Sequence, residues 1–151
     1  MIAPMPAAAV LVQHEGRVLM VHHVKTGHWV IPGGRAEDGE TPRHCAAREA
    51  LEETGVPVQV GRLLVFQHLP AGTYGNGANP MPCHLFVFAA MMDPADHERI
   101  RVPDRELLGH DWLPPGRAVE LTDHTNTPLL GAALAAAADG TTAYLEYRPH
   151  T

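Results

Sequence analysis

The chain has 151 residues, of which 45% are hydrophobic and 19% charged, and this is the size and composition of one ordinary globular domain. Its formal net charge of −6 excludes the basic face that non-specific nucleic-acid binding needs, although it permits an anionic ligand bound through cations. Two cysteines, Cys45 and Cys83, are too few for a disulfide framework and favour a reducing compartment, so we expect a cytoplasmic protein.

The N-terminal part of the chain predicts a β-hairpin. Met1–Val12 is apolar, but no basic segment precedes it and polar residues end it too early for a membrane span. Ala8–His14 and Arg17–His23 have the composition of strands, and Glu15-Gly16 between them is typical of a tight turn. The second strand is apolar on both faces, so we expect it to be covered on both sides.

A short strand and a helix come next. Trp29–Ile31 predicts a strand that ends at Pro32-Gly33-Gly34. Arg43–Thr54 is composed almost entirely of helix formers. Thr41 suits the N-cap, Pro42 the first helical position and Gly55 the C-terminal stop.

The rest of the chain alternates between strands, loops and one further helix. We predict a strand at Val56–Leu69 that is bent at Gly61, followed by a Gly- and Asn-rich loop at Ala71–Pro82 of the kind that carries binding residues. A strand at Cys83–Met91, a charged connection at Asp93–Asp104 and a strand at Glu106–Leu113 come next, and Pro114-Pro115-Gly116 ends the last of these. The final predicted elements are a helix at Thr127–Ala138 and a short strand within Thr141–Tyr147. With no internal repeat and no long linker, residues 1–151 predict a single mixed α/β domain.

Three carboxylates share one face of the predicted helix. On a helical wheel Glu49, Glu52 and Glu53 gather opposite the side that we expect to face the core, which consists of Ala47, Ala50, Leu51 and Thr54. Like charges at this spacing repel, and the macrodipole disfavours negative charge near a helix C-terminus. A hard cation such as Mg²⁺ would remove both penalties. The alternative is a solvated acidic face, in which Arg48 pairs with Glu52.

The segment around this helix resembles the Nudix box, G-x5-E-x7-R-E-U-x-E-E-x-G-U. Every fixed position is filled, over 23 residues, by Gly34, Glu40, Arg48, Glu49, Glu52, Glu53 and Gly55. Chance would fill all of these positions less than about once per million starting points. Ala50 is smaller than the aliphatic residue that is common in the family at this point. The resemblance implies the Nudix fold, a mixed β-sheet between helices.

The resemblance also implies roles for the residues of the box. Glu52 and Glu53 would be the principal ligands of Mg²⁺, with Mn²⁺ as a substitute, and the carbonyl of Gly33 a further ligand. Glu49 would be either another ligand or the base that activates water. Glu40 and Arg48 would pair and support the loop, together with Gly34 and Gly55.

An acidic residue after the box often completes such a site. By resemblance Glu106 is the candidate, with Asp104 and Asp111 as rivals, and each of the three has the alternative of being a plain surface carboxylate. Arg35 and Lys25 could contact phosphate oxygens or remain solvated.

The part of the substrate beyond the phosphates is less well predicted. Tyr74 or Phe86 could stack on a base, although burial in the core is the commoner fate of Phe86. Asn126 stands where MutT-type members of the family read an oxidised guanine, and an amide suits a purine edge. Asn126 is equally suited to be the N-cap of the following helix.

Three functional hypotheses follow. The first is a MutT-like, Mg²⁺-dependent pyrophosphohydrolase of nucleoside triphosphates, including oxidised purine nucleotides. The second is a Nudix hydrolase of ADP-ribose, a nucleotide sugar or another nucleoside diphosphate derivative. The third is a module that senses nucleotides without catalysis, although such modules tend to lose box carboxylates. All three imply a small-molecule nucleotide partner, no nucleic acid and no membrane, and members of this size often form homodimers.

The chain also contains eleven histidines. None falls in an HxH, HExxH or Cys-x-x-Cys spacing, which are the patterns typical of metal sites. We therefore expect most of them at the surface or half-buried.

Overall fold

The computed structural model describes residues 3–74, 77–103, 105–123 and 126–147. Within these ranges the chain forms strands, α-helices and one 3-10 helix, in the order β1 Met5–His14, β2 Arg17–His23, β3 Trp29–Val30, β4 Gly33–Arg35, α1 Pro42–Thr54, β5 Gln59–Leu69, β6 Cys83–Met91, the 3-10 helix Pro94–Arg99, β7 Leu107–Leu113, α2 Pro115–Leu121, α3 Asn126–Asp139 and β8 Ala143–Glu146. None of the described helices combines the length and the apolarity needed to cross a bilayer.

The strands form one mixed sheet. Its main path runs β3-β2-β1-β6-β5-β8, while β4 pairs with β1 and β7 pairs with β2. β1 lies parallel to β6, and β5 lies parallel to β8. The other pairs are antiparallel. β1 is long enough to hold the sheet together, because it pairs with β6 over most of its length, with β4 at Ala7–Ala9 and with β2 at its C-terminal end.

Helices cover the sheet on both sides. On one side the small residues Cys45, Ala46 and Ala50 of α1 pack against Val10 and Val12 of β1. On the other side, Leu129, Leu130 and Ala133 of α3 pack in a cluster that contains Val65 of β5 and Val87 of β6. This arrangement confirms the predicted fold class, a mixed sheet between helices.

Local signals predicted the hairpin and helix α1 correctly. Glu15 and Gly16 both have positive φ, 49° and 75°, as a two-residue hairpin turn of this hand requires. The Thr41 hydroxyl accepts a hydrogen bond from the His44 amide at 3.1 Å and caps α1. Gly55 ends the helix with φ 76°, a conformation that favours glycine. Near Gly61, where a bend was predicted, the register between β5 and β6 shifts between Val60 and Val65.

Three elements were not predicted, and one of them is the 3-10 helix Pro94–Arg99, which lies within the predicted charged connection. Gly33–Arg35 forms strand β4, which pairs with Ala7–Ala9 of β1, although glycines normally indicate a turn. A Cβ on Gly33 would lie 2.5 Å from the Ala8 carbonyl oxygen, so the strands approach this closely only because the residue is glycine. Pro115–Leu121 forms helix α2, since a proline that suggests a break is also well suited to the first helical turn.

The predicted core face of α1 was partly wrong. Leu51 is 47% exposed, whereas Glu53 is only 5% exposed. The helix contacts the sheet through Cys45, Ala46 and Ala50, and the chain at Gly33 contacts Glu53. A helical wheel orders the residues of one helix, but it contains no information on which flank a distant segment will cover.

Candidate active site

A cavity of about 440 Å³ opens among β1, β4, α1 and α3. Three of the predicted carboxylates and both predicted cations line it, namely Glu49, Glu53, Glu106, Lys25 and Arg35. Its remaining wall is mostly apolar and includes Met20, Ile31, Leu69, Leu85, Leu129 and Leu130. The cavity therefore combines an acidic side on α1 with an apolar side on α3, a combination that suits a charged ligand with an organic group attached.

Glu53 is the most buried carboxylate of the cavity. Its Oε1 accepts a 3.3 Å hydrogen bond from the Gly33 amide, whereas its Oε2 is buried and has no hydrogen-bond partner among the described residues. Burial, reinforced by the neighbouring charge of Glu49, raises the pKa of Glu53 to about 8. An oxygen in this state needs either a proton or a cation beside it.

Glu49 lies against the glycine loop. A Cβ placed on Gly34 would come within 2.5–2.8 Å of three atoms of the Glu49 carboxyl group, so this group occupies the space that a larger residue would need. Burial raises the pKa of Glu49, while the hydrogen bond from Arg48 opposes that effect. Gly34 thus allows the carboxylate of Glu49 to enter the cavity.

Arg48 holds the acidic residues around it in place. It donates to Glu40 at 2.7 and 2.9 Å, to Glu49 at 3.0 Å and to Glu52 at 3.2 Å. A further bond of 3.0 Å reaches the Arg35 carbonyl oxygen, which ties the helix to the loop after β4. Because of Arg48, the pKa of Glu40 falls to about 2. The predicted Glu40–Arg48 pair and the Arg48–Glu52 pair are both present.

The structure does not bring Glu52 into the cavity. Its side chain is 57% exposed and lies one turn of α1 away from Arg48, which it contacts. Glu52 is absent from the cavity lining, while its neighbour Glu53 is part of it. Residues in adjacent positions of a helix point about 100° apart, so only one of this pair can point inward.

The three acidic candidates after the box differ in position. Glu106 lines the cavity, and its charge acts on both Glu49 and Glu53. Asp111 is exposed and accepts a hydrogen bond from the Trp112 amide at 2.8 Å, outside the cavity lining. Asp104 lies outside the described residues. Of the two that are described, Glu106 is therefore the one placed near the box carboxylates.

The loop at residues 71–82 places Tyr74 at the cavity. Tyr74 packs against the apolar core, and the Arg35 guanidinium lies 5.7 Å from the centre of its ring. Asn79, which is 2% exposed, organises this loop: its Oδ1 accepts from the Tyr74 amide at 2.8 Å and its Nδ2 donates to the Met81 carbonyl at 2.7 Å. Asn79 was not predicted, since one asparagine among many loop residues gives no signal before the loop is folded.

Asn126 lines the cavity but does not cap α3. Asp123 makes the capping contact, because its Oδ1 accepts from the Asn126 amide at 2.8 Å, and its Oδ2 accepts from the Asn126 side chain at 3.1 Å. Of the two roles considered for Asn126, the N-cap is not observed, because α3 begins at Asn126 itself. Asp123 also lines the cavity and was missed, although an aspartate three residues before a helical amide is itself a capping signal.

Phe86 does not reach the cavity. It packs with the α1 side of the sheet, in the cluster that contains Phe88, while its neighbours Leu85 and Val87 face the other way. Phe86 is therefore not placed to stack on a ligand in this cavity, which leaves Tyr74 as the aromatic candidate. Alternation along β6 had predicted the two faces, but not which of them borders the cavity.

The donor atoms of the cavity fit a hard divalent cation. Carboxylate oxygens are the ligands that Mg²⁺ prefers, and the unpartnered buried Oε2 of Glu53 is an oxygen that a cation would satisfy. In the described part of the chain no three His, Cys, Asp or Glu side chains are yet gathered around a single point. The residues are thus suitable in kind, and side-chain movements would be needed for shared coordination.

The chain is similar to known proteins of one family. The sequence matches the NUDIX domain family over residues 3–130. A "MutT-like protein" of Streptomyces ambofaciens is 45% identical over 56 residues, which cover 37% of this chain and 36% of that protein. The "CMP-5'-(N-acetyl-N-hydroxy-3-aminopropyl)phosphonate hydrolase" of Streptomyces rubellomurinus is 33% identical over 134 residues, which cover 85% of this chain and 60% of that protein.

A solved structure supports the fold. The crystal structure of a "UDP-X diphosphatase" superposes with a TM-score of 0.73 at 17% identity, covering 96% of this chain and 68% of that one. Both curated relatives are considerably longer than the segment that they share with this chain, as the covered fractions of 36% and 60% show.

Proposed function

This chain belongs to the Nudix family, and we propose that it is a Mg²⁺-dependent pyrophosphohydrolase that cleaves a phosphoanhydride bond in a nucleoside triphosphate. One observation carries the proposal: the carboxylates of Glu49, Glu53 and Glu106 border the same cavity as the aromatic ring of Tyr74 and the amide of Asn126. Such a cavity offers oxygen ligands for a cation–phosphate group and, beside them, groups suited to a nucleobase.

The cation would be held by Glu53, Glu106 and the Gly33 carbonyl, with Glu52 approaching from the solvent side of α1. When bound, Mg²⁺ or Mn²⁺ neutralises phosphate charge and lowers the pKa of a coordinated water. Arg35 and Lys25, which also line the cavity, would contact non-bridging phosphate oxygens. Glu40 and Arg48 would support the loop without contacting the substrate.

Glu49 is proposed as the proton acceptor. Its carboxyl group lies over Gly34 and is less buried than that of Glu53, so a water molecule can reach it. In the reaction the water oxygen forms a new bond to phosphorus as the bridging P–O bond breaks. Glu49 takes the proton of the attacking water, and the leaving phosphate group keeps the electron pair.

The substrate end of the cavity supports a planar, polar base. Asp123 binds the Asn126 side-chain nitrogen, which leaves the Asn126 amide in one defined orientation. Tyr74 is held in place by Asn79 and would provide a surface for stacking. We propose Asn126 and Tyr74 as the nucleobase contacts.

The test is a substrate panel with product identification. The protein would be assayed with Mg²⁺ on ordinary and oxidised nucleoside triphosphates, ADP-ribose, nucleotide sugars and dinucleotides, with Glu53→Gln as the inactive control. We expect turnover of triphosphates with release of pyrophosphate and a nucleoside monophosphate. Turnover confined to the other substrates would contradict the triphosphate assignment, and nucleotide binding without any turnover would indicate a sensing module.

A second candidate is hydrolysis of a nucleoside diphosphate derivative or another nucleotide conjugate. It is favoured by the activity for which the Streptomyces rubellomurinus relative is named, since the substrate in that name joins CMP to a phosphonate. The apolar wall formed by Leu129 and Leu130 could accept a group other than a base. The same panel separates the two candidates, because the position of the cleaved bond determines which phosphate-containing products appear.

A further inference from the structure

Two histidines meet on the face of the sheet that is turned away from the cavity. His68 of β5 and His84 of β6 are register partners on adjacent antiparallel strands. Their ring nitrogens, Nδ1 of His68 and Nε2 of His84, lie 3.0 Å apart, and the ring centres are 5.1 Å apart. Leu69 and Leu85, the next residue of each strand, line the cavity, so the two imidazoles point to the opposite side.

The histidine pair lies on strands that the described helix α1 contacts only in part. Helix α1 packs mainly on β1 and β4, and both histidines are only half-buried. Phe66 lies beside the pair, with its ring in edge contact with His84 and stacked on Tyr144. Glu146 of β8 is the register partner of His68 and places a carboxylate on the same face. An ion from solvent can therefore reach the pair, and the local charge favours a cation.

The geometry of the pair is close to that of two imidazoles on one metal ion. In a tetrahedral site with Zn–N bonds of about 2.0–2.1 Å, the two nitrogens would be about 3.3 Å apart. The observed 3.0 Å therefore needs to open by only a few tenths of an ångström. Burial and the neighbouring His68 both lower the pKa of His84, which favours the neutral ring that a metal requires.

We propose that His68 and His84 form a second metal site, which takes a borderline divalent ion such as Zn²⁺. The ion would replace the proton that the two facing nitrogens share in their hydrogen bond. The ring that gives up this proton takes a proton on its other nitrogen, so each neutral ring then carries one proton on the nitrogen that faces away from the ion and no net proton is released. Imidazole prefers Zn²⁺, Cu²⁺ and Ni²⁺ over Mg²⁺, and this distinguishes the pair from the carboxylates of the cavity.

The site would have two protein ligands, and water would complete the coordination shell. No group of three potential ligands is gathered at this place in the described part of the chain. The proposal is independent of the hydrolase function, because neither histidine lines the cavity. If the proposed histidine metal site is refuted, the proposed hydrolase function is unaffected.

The test is calorimetric titration with Zn²⁺ in an excess of Mg²⁺. It would be made on wild type, His68→Ala and His84→Ala, with His44→Ala as a control that removes an exposed histidine elsewhere. We expect one Zn²⁺ per chain in wild type and in the control, and binding weakened at least about tenfold in each variant of the pair, since even the loss of a supporting residue costs that much in metal sites. Titration in the Glu53→Gln background removes binding at the cavity carboxylates from the signal.

Spectroscopy on wild type provides a measurement that does not depend on the folding of any variant. Electron paramagnetic resonance of bound Cu²⁺ reports the number of nitrogen ligands, and we expect two. His84→Gln, which keeps a polar side chain of similar length, serves where an alanine variant is unstable. Equal Zn²⁺ binding in wild type and in the pair variants, or fewer than two nitrogen ligands, would show that the two rings form an imidazole hydrogen bond only and would overturn the proposal.

Discussion

Glu53 combines two properties that are costly in a protein without a bound cation. Its side chain is buried, and one of its carboxylate oxygens has no hydrogen-bond partner among the described residues. A buried carboxyl group of this kind destabilises the fold when it is ionised. The same oxygen is the one best placed to receive a cation, so the cost in stability and the proposed role have one physical origin.

Replacement of Glu53 by glutamine separates these two effects. We expect Glu53→Gln to lower the turnover rate by on the order of a hundredfold or more, because a ligand of the proposed cation is lost. The free energy of unfolding in the absence of Mg²⁺ should stay the same or rise, because a neutral amide is easier to bury. Steady-state kinetics and urea denaturation would measure both quantities.

The control for this change is Glu98→Gln, which removes an exposed carboxylate of the 3-10 helix. It should leave turnover unchanged. If Glu53→Gln retained near-normal turnover, the role of Glu53 as a ligand would be refuted.

The Glu40–Arg48 pair makes stability depend on pH in the acid range. The Glu40 side chain is 6% exposed, and the bond from Arg48 lowers its folded-state pKa to about 2. Because the folded-state pKa lies below the ordinary value, the pair stabilises the fold above pH 4–5 (about the ordinary glutamate pKa) and loses this effect as the pH falls towards 2.

We therefore expect Glu40→Gln to be less stable than wild type at neutral pH. The difference between the two proteins should shrink as the pH falls from about 5 to about 2, because wild type loses the ionised Glu40 over that range. Thermal unfolding of both proteins across this range measures the effect. A difference that stays constant with pH would show that the charge of Glu40 does not contribute to stability.

At the scale of elements, the loop at residues 71–82 is shaped by one buried side chain. Asn79 binds the backbone at Tyr74 and at Met81, and the Gly72 amide donates to its carbonyl at 2.9 Å. A loop with no regular secondary structure holds one conformation only if its backbone groups find partners, and here Asn79 supplies several of them. It is thus a positioning residue for Tyr74.

Asn79→Ala should loosen this loop. We expect a loss of about 1–3 kcal/mol in the free energy of unfolding, because backbone groups lose their partners. The KM should rise while kcat changes little, since Tyr74 would contact the base rather than the reacting phosphate. Asn79→Asp keeps the acceptor for the Tyr74 amide but replaces the donor to the Met81 carbonyl with an acceptor, so its KM should also rise above that of wild type. A fall in kcat with KM unchanged would contradict this account.

The whole molecule carries a net charge of −6, and part of this charge is concentrated at the cavity. Carboxylates on one side of a cleft repel each other, and a divalent cation relieves this repulsion only in the folded state, where the residues are close together. Binding of Mg²⁺ should therefore be linked to the stability of the entire fold.

We expect Mg²⁺ to raise the midpoint of thermal unfolding in wild type. At a concentration of about 100 times the Kd the gain is about 2.7 kcal/mol. Removal of metal with a chelator should abolish turnover, and addition of Mg²⁺ or Mn²⁺ should restore it. The Glu53→Gln variant should show a much smaller shift, and an equal shift in both proteins would place the bound cation away from Glu53.

The secondary structure was largely predictable because its signals are local. Thr41, Pro42 and Gly55 mark the ends of α1 by their own backbone preferences, and alternation indicated the two faces of β6. The exceptions are β4, α2 and the 3-10 helix. Strand β4 exists because its glycines approach β1, which precedes it by more than twenty residues, and no local preference indicates such a pairing.

The sequence by itself determined the family, the mixed fold and the carboxylates of the box, since these depend on residue type and on spacing along one helix. Only the tertiary structure decided that Glu53 is buried while Glu52 is exposed, that Phe86 points away from the cavity and that His68 meets His84. Each of these depends on which distant segments lie next to one another. The packing of the whole chain sets which segments become neighbours, because burial and contact between elements are not properties of any one segment.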